Sequence, residues 1–170
     1  MSVVPAVDAL PLPPFYVYGA PDKPEEGALN FSSLRSCKRF ERLLSTATRE
    51  TTAEVFIADA LSKHPARTHD ASAAQVFYVP LWFSVSYTLG ACGGTSHVQR
   101  MAAAASALER APSFARNGGA DHLFAHTANG RPWIQHRVGS KLYALLENSS
   151  AGMEMAYECA SPSAHPPPSP

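Results

Sequence analysis

The segment QVFYVP, from Gln75 to Pro80, constrains the fold more than any other part of the chain. Val76–Val79 is a continuous run of β-branched and aromatic residues without polar alternation, which is typical of a strand covered on both faces. Pro80 has no backbone N–H to donate to a neighbouring strand, so the strand should end there. The sequence therefore predicts a sheet that is buried between two other layers.

Helical patterns alternate with strand patterns along the rest of the chain. Strands are predicted at FYVY (15–18) and HLFAH (122–126), and helices at 34–44, 51–64, 98–110 and from near Val138. The helix over 34–44 follows from apolar residues at three- and four-residue steps, and Thr51 or Thr52 can cap the next helix, which Pro65 ends. The alternation predicts an α/β fold, namely a single Rossmann-like layered domain with a mostly parallel sheet.

The two ends of the chain differ in composition from its middle. Residues 1–14 are rich in proline and should form an extended leader, and residues 149–170 are small, polar and proline-rich. Such a low-complexity Ser/Pro tail has no core to join. The predicted folded domain therefore covers residues 15–148.

Charge and hydropathy exclude several classes of partner. Lys and Arg together number 14, as do Asp and Glu, so the formal net charge is zero. This balance predicts no nucleic-acid partner, because proteins that bind nucleic acids usually carry an excess of positive charge. No apolar run approaches the roughly 18 residues that cross a bilayer, and no basic segment precedes the apolar start. We therefore expect membrane association only through an anchor that these residues do not contain.

The three cysteines, Cys37, Cys92 and Cys159, do not form a metal-binding pattern, since none stands in a CxxC pair. A Cys37–Cys92 bridge is conceivable in an oxidising compartment, with Cys159 left over. The sequence leaves the disulfide status of all three open.

The stretch RNGGADHLFAHT, residues 116–127, raises the question of a metal site. On a helix, His122 and His126 would share a face, as zinc ligands do. On a strand, four residues at about 3.3 Å each set the two side chains about 13 Å apart, which is too far to share an ion. The preceding glycines and the apolar LFA between the histidines favour the strand, so no metal site is predicted.

As a strand entered from a polar loop, the same stretch suggests a ligand site. Residues 117–119 would make the turn, and the Asp121 carboxylate would accept hydrogen bonds from exposed backbone donors. His126, Thr127 and Asn129 would then emerge at the carboxyl end of the strand, the edge where open α/β sheets bind ligands. The alternative is a capping Asp121 with solvated histidines, and composition alone does not decide between the two.

Three blocks of the sequence together resemble the exostosin-type glycosyltransferases. FYVYGAP, ARTHDASAAQVFYVP and RNGGADHLFAHTANG follow one another in order over residues 15 to 130. Members of that family typically show YVYDLP, then YRT-DPEEADLFFVPFY, then W-R-GGRDHFFV--HDWG. Three ordered blocks are far more specific than any one of them, and the resemblance spans roughly residues 15–148.

The resemblance implies a fold, an activity and a compartment. Such enzymes adopt the GT-B fold, in which two Rossmann-like halves face each other across a cleft, and they work in the Golgi. The amino-terminal half mainly shapes the acceptor side, and the carboxy-terminal half holds the nucleotide-sugar. Sugar transfer then inverts the anomeric carbon, and no metal or other cofactor is generally required.

The resemblance also implies roles for individual residues. His126 is the candidate catalytic base, because histidine accepts a proton near neutral pH. Asp121 and His122 should hold the loop by hydrogen bonds, and Arg116 should either pair with Asp121 or face a sugar or phosphate. The predicted substrate-binding residues are Arg116, Gly118, Gly119, Asp121, His122, Thr127 and Asn129.

The chain departs from the family pattern at three positions and in length. Gly19 and Thr127 replace acidic residues, which should alter acceptor handling, whereas Phe114 replaces tryptophan and preserves packing. We expect residues 15–148 to represent the acceptor-side half, without the donor-binding half, and to be inactive in sugar transfer alone. The alternative is a non-catalytic domain that binds glycan or a partner glycosyltransferase.

Overall fold

The computed structural model describes residues 12–19, 23–47, 49–125, 140–148 and 153–155. Within these ranges the strands are β1 (Phe15–Val17), β2 (Arg67–Thr68), β3 (Val76–Val79), β4 (His122–Ala125) and β5 (Met153–Met155). The α-helices are α1 (Phe40–Thr46), α2 (Arg49–Ser62), α3 (Phe83–Leu89), α4 (His97–Arg110), α5 (Pro112–Arg116) and α6 (Ser140–Asn148). Two 3-10 helices, Pro24–Leu29 and Phe31–Ser36, follow β1.

The five strands form one sheet in the order β2-β1-β3-β4-β5, and every neighbouring pair is parallel. Tyr16 lies level with Phe77, and Phe77 lies level with His122. The α/β class and the parallel sheet are therefore confirmed. In this order, β2 lies on one side of β1, and the later strands are added on the other side, beginning with β3. The point between β1 and β3 is a topological switch point, and ligands usually bind there, outside the carboxyl ends of the two strands.

Helices cover both faces of the sheet, as the apolar run of β3 predicts. On one face, the Phe114 ring of α5 lies 5.0 Å from the ring of His122. On the other face, Phe15 lies 5.6 Å from His64, just beyond α2. β3 is buried apart from half-buried Val76. Side chains that alternate along one strand pack into different layers, which is why β3 carries no polar positions.

The helices before and after β3 differ from the predicted helices in three ways. The helix predicted over 34–44 is a 3-10 helix and then α1, separated at Cys37, whose backbone is extended. Helix α2 begins at Arg49, so Thr51 and Thr52 lie inside it and not at its start. Helix α3 was not predicted, because its sequence FSVSYTL is rich in residues that favour strands. The Glu54 carboxylate accepts a hydrogen bond from the Ser84 N–H at its start.

Helix α4 agrees with the prediction to within one residue, since it begins at His97. Ser96 accepts a hydrogen bond from the Gln99 N–H, and the Gln99 side chain accepts one from the Ser96 N–H. This reciprocal capping satisfies two backbone donors that no helical carbonyl can reach. None of the helices in the described ranges combines the length and the apolar character that crossing a bilayer requires.

The sheet extends past residue 148. β5 pairs with β4 through Leu123↔Met153, Phe124↔Glu154 and Ala125↔Met155. Met153, Glu154 and Met155 belong to the segment 149–170, which the sequence analysis assigns to a tail with no core to join. Backbone pairing with the open edge of β4 needs no hydrophobic run, so composition does not reveal a strand this short. The remaining residues of that segment lie outside the described ranges.

A disulfide joins Cys37 to Cys92, with the two Cα atoms 5.9 Å apart. It connects the end of the second 3-10 helix to the loop between α3 and α4. The disulfide status of Cys37 and Cys92, which the sequence left open, is therefore that of a bridged pair. The Arg100 guanidinium braces the same loop by donating to the carbonyl oxygens of Gly90 at 2.6 Å and Thr95 at 2.8 Å. Cys159 lies outside the described residues.

Candidate functional site

The polar loop that enters β4 has the predicted turn. Helix α5 ends at Arg116, and β4 begins at His122. Gly118 and Gly119 have φ angles of 58° and 81°. These lie in the left-handed region, which glycine enters without a steric penalty. The turn over residues 117–119 is therefore confirmed.

His122 is fully buried at the start of β4, with 0% of its surface exposed. Its ring stacks on Phe77 at 4.8 Å between centroids, and both ring nitrogens have hydrogen-bond partners. Nε2 lies 2.9 Å from the Tyr18 hydroxyl, and Nδ1 lies 2.7 Å from Oδ1 of Asp121. The imidazole thus ties the end of β1 to the start of β4 across β3.

Asp121 continues this network towards the surface. Its Oδ2 accepts a hydrogen bond of 2.6 Å from the Asn117 amide and lies 3.4 Å from the Arg116 guanidinium. The guanidinium also lies 5.2 Å from the centre of the Phe77 ring. Of the two alternatives for Arg116, the structure therefore has the pair with Asp121. The Arg116 side chain is 45% exposed, so we assign this pair at most about 1 kcal/mol.

Burial and hydrogen bonding set the protonation states of the network. Burial lowers the pKa of His122, and it outweighs the hydrogen bond to Asp121 and the negative charge of Asp121, both of which raise that pKa. Burial opposes ionisation of Asp121, but hydrogen bonds from Asn117 and His122 outweigh it and lower the pKa of that carboxyl. Burial also raises the pKa of Tyr18 to about 12. At neutral pH, a neutral His122 therefore donates from Nδ1 to the Asp121 carboxylate and accepts at Nε2 from the Tyr18 hydroxyl.

Acidification should destabilise the fold through His122. The unfolded chain takes up a proton at this residue near the ordinary pKa of 6.5, whereas the buried ring stays neutral to lower pH. Because the unfolded state then binds more protons, the free energy of unfolding should fall as the pH drops below that value. The expected slope is at most about 1.4 kcal/mol per pH unit until the folded pKa is reached. Asp121 adds a further loss as the pH falls below the unfolded pKa of its carboxyl group and on through its lowered folded value.

Urea unfolding at a series of pH values between about 8 and 5 measures this slope. The variant His122→Gln keeps hydrogen-bonding groups but does not titrate, so its slope should be smaller than that of the parent chain. His69→Gln is the matched control, because His69 is exposed. Equal slopes in all three proteins would contradict the assignment of a neutral buried His122.

Five of the predicted site residues lie within the described part of the chain, and they share one edge of the sheet. The structure brings together Arg116, Gly118, Gly119, Asp121 and His122 before and at the start of β4. The Asp121 carbonyl accepts a hydrogen bond from the N–H of Phe77, near the amino end of β3. This group therefore lies at the amino edge of the sheet. His126, Thr127 and Asn129 come after Ala125, the last residue of β4, and lie outside the described residues.

At the carboxyl edge, residues that follow β1 close the crevice between β1 and β3. The Phe31 N–H donates to the Pro80 carbonyl at 3.3 Å, and the Asn30 amide donates to the Gly19 carbonyl at 3.2 Å. The Glu26 carboxylate accepts hydrogen bonds of 2.9 Å from the Gly19 N–H and from the Tyr16 hydroxyl. The chain itself thus takes up the position that a ligand usually holds at a switch point of this kind.

Gly19 is required by this closure. Its φ angle is 79°, and a Cβ atom at this position would lie 2.2 Å from the Cβ of Asn30. No side chain fits there, which gives a packing reason for glycine where the exostosin pattern has an acidic residue. Sequence reasoning treated Tyr18 only as part of a strand and singled out neither Glu26 nor Asn30, because their partners are distant in sequence or depend on the turn geometry.

Within the described residues, no group of three or more His, Cys, Asp or Glu side chains is arranged to hold a metal ion. Since His126 is not among these residues, its distance from His122 stays a prediction from strand geometry.

Comparison with protein families decides the identity of the fold. The exostosin GT47 domain matches residues 11–154, which include the described strands from β1 to the second residue of β5. The chain belongs to the exostosin GT47 domain family. The resemblance drawn from the three sequence blocks is thereby confirmed, and with it the assignment to a glycosyltransferase family and to a Rossmann-like α/β fold. No curated protein and no solved structure matches the chain significantly.

Proposed function

We propose that this exostosin-family chain forms the acceptor side of an inverting glycosyltransferase. One observation carries the proposal: the family match covers a parallel sheet whose motif-bearing strand, β4, leads at its carboxyl end into His126, Thr127 and Asn129. The crevice between β1 and β3 is filled by Asn30 and Phe31. That occupancy supports an acceptor site beside the carboxyl end of β4 instead.

In this proposal the chemistry is a displacement at the anomeric carbon of a nucleotide-sugar. The acceptor hydroxyl attacks, its proton passes to a base, and the nucleoside diphosphate leaves with the electrons of the broken C–O bond. His126 is the proposed base, since a histidine is partly unprotonated at neutral pH. Thr127 and Asn129 supply hydroxyl and amide groups of the kind that bind sugar hydroxyls.

The residues at the amino edge have a different role in this proposal. Buried His122 cannot touch an acceptor, and it binds Tyr18 and Asp121 instead. We assign Asp121 and His122 to positioning β4, and Gly118 and Gly119 to the turn that leads into it. Arg116 supports Asp121. A strand fixed at its start holds the residues at its end in a defined place, which a proton transfer requires.

A compartment of the secretory pathway, namely the Golgi, fits this function. The Cys37–Cys92 disulfide supports it, because disulfides persist in oxidising compartments and are rare in the cytosol. The proposed partner is a glycan acceptor, and a partner glycosyltransferase is a further candidate. We also propose that these 170 residues do not transfer sugar alone, because a donor site assembled between two domains needs both of them.

A binding titration on the purified 170-residue chain tests the proposal. On an array of immobilised oligosaccharides, the chain should bind at least one glycan, and His126→Ala should weaken that binding at least about tenfold. His69→Ala is the matched control, because His69 is exposed and lies in the turn after β2. In solution, uridine diphosphate should not bind measurably. Micromolar binding of uridine diphosphate without glycan binding would overturn the acceptor-side assignment.

A further inference from the structure

The residues around the start of α1 carry the highest local density of positive charge in the chain. The segment RSCKRFER, residues 35–42, contains four of the 14 basic residues and a single acid, Glu41. Because the formal net charge of the whole chain is zero, this segment is a local excess of positive charge. Lys38, Arg39 and Arg42 are exposed, and we call these three residues the basic patch.

Within the described residues, no carboxylate is paired with the basic patch. The fourth basic residue of the segment, Arg35, is neutralised instead by Asp59, whose two carboxylate oxygens accept hydrogen bonds of 2.6 and 2.7 Å. Glu41 adjoins Arg42 in sequence, but adjacent residues of a helix do not face each other. The basic patch therefore presents positive charge that no described residue neutralises.

The basic patch lies at the carboxyl edge of the sheet. Phe40, which is fully buried beside it, stacks on Trp82 with the ring centroids 6.0 Å apart, and Trp82 is the third residue after the end of β3. The Phe31 N–H donates to the Pro80 carbonyl, so the 3-10 helix that precedes the patch begins at the same edge. β4 is parallel to β3, and the acceptor site proposed at its carboxyl end therefore shares this edge with the basic patch.

The disulfide beside the basic patch restricts the kind of anion that the patch meets. Cys37, the residue before Lys38, is bridged to Cys92, and such bridges persist in oxidising compartments. Nucleic acids are polyanions of the nucleus and the cytosol, and the anionic lipids of membranes face the cytoplasm. Acidic glycans are the polyanions that both occur in the secretory pathway and can accept a sugar.

We propose that the basic patch binds the carboxylates of uronic acid residues, which makes the acceptor an acidic polysaccharide. The guanidinium groups of Arg39 and Arg42 present paired N–H donors that match the two oxygens of a carboxylate. An exposed ion pair contributes little by itself, so three exposed cations bind firmly only a chain that carries several anionic groups. This inference rests on the proposed acceptor-side function and specifies the class of its acceptor.

The test uses an array on which each oligosaccharide of uronic acids stands beside its methyl ester, which has the same sugars without the charge. The full chain is compared with two double variants, each of which removes one lysine and one arginine. Lys38→Gln with Arg42→Gln neutralises most of the basic patch, and Lys63→Gln with Arg110→Gln is the matched control. Lys63 and Arg110 are also exposed, but they lie where α2 and α4 end, on the way to the amino ends of β2 and β4.

The parent chain should bind at least one acidic oligosaccharide at least about tenfold more tightly than its methyl ester, and added salt should weaken that binding. Lys38→Gln with Arg42→Gln should weaken it at least about threefold, whereas the control should bind like the parent chain. Equal binding of acids and methyl esters, or equal binding by the parent chain and the patch variant, would overturn the inference. Tighter binding to vesicles that contain phosphatidylserine than to any glycan would also overturn it.

The same array separates this inference from the proposed function. If the chain binds only neutral glycans and His126→Ala weakens that binding, the acceptor-side assignment stands and the inference about the basic patch fails. If acidic glycans bind through Lys38 and Arg42 and His126→Ala has no effect, the basic patch stands and the acceptor-side assignment fails. Thermal unfolding of each variant establishes that the comparison is between folded proteins.

Discussion

Replacing His122 by alanine should lower the free energy of unfolding by about 3 to 5 kcal/mol. Two losses add. The fully buried ring leaves a cavity against Phe77, on which it stacks, and Phe114, and truncation of a buried side chain of this size costs several kcal/mol. The Tyr18 hydroxyl and the Asp121 carboxylate also lose one hydrogen-bond partner each, and each lost hydrogen bond costs about 1 kcal/mol.

Urea unfolding followed by far-ultraviolet circular dichroism measures this effect. Tyr18→Phe removes the hydrogen bonds of the hydroxyl with His122 and Ser113 and leaves the ring packing, so it should cost only about 1 to 2 kcal/mol. His69→Ala, at an exposed position, should stay within about 0.5 kcal/mol of the parent chain. If His122→Ala unfolds at the same urea concentration as His69→Ala, then His122 does not tie β1 to β4.

The second large effect is expected from the disulfide. Replacing both Cys37 and Cys92 by alanine should lower the free energy of unfolding by about 2 to 4 kcal/mol, because the bridge restricts the unfolded chain over a sequence separation of 55 residues. The loop that holds Cys92 also receives the Arg100 hydrogen bonds, so it should keep its place in the reduced protein.

Cys159 provides the matched control for this measurement. Cys159→Ala should leave the unfolding curve unchanged, and reducing agent should destabilise the parent chain and Cys159→Ala alike, while leaving the double alanine variant unaffected. Thiol labelling of the unreduced, unfolded parent chain should find one free thiol, since the chain has three cysteines and one bridge uses two. Three free thiols, or no effect of reducing agent on stability, would contradict the bridge.

Much of the fold could be predicted because local sequence patterns agree with the layer of the fold in which each element packs. The apolar run of β3 indicates burial on both faces, and the glycines before β4 indicate a turn with positive φ angles. Helix α4 follows from high helix propensity together with a capping pair at Ser96 and Gln99. In each case, the physical cause lies within a few residues of the element it determines.

The parts that could not be predicted depend on distant contacts. Helix α3 has a strand-like composition, and its start is capped by Glu54, thirty residues earlier. β5 follows from pairing with the free edge of β4. The hydrogen bond from Tyr18 to His122 joins residues 104 positions apart, so no local pattern reveals it.

Of the candidate site, only the residues before and at the start of β4 can be compared with their predicted roles. A single motif, RNGGADHLFAHT, suggested one cluster of substrate-binding residues. Because a strand is extended, the residues that follow β4 are expected at the opposite edge of the sheet from those that precede it. The residues before it form a hydrogen-bond network that runs from buried His122 to the surface, which suits the positioning of β4. The residues after it stay the proposed site of acceptor binding.

The most direct test of the acceptor-side assignment is a map of amide chemical shifts during titration of the isotope-labelled chain with a glycan that it binds on the array. The assignment predicts shifts at the carboxyl edge, at the amides of Leu81, Ala125 and His126, with little change at Gly118 and Gly119 on the amino edge. Shifts confined to Gly118, Gly119 and Asp121, with the carboxyl edge unmoved, would contradict it.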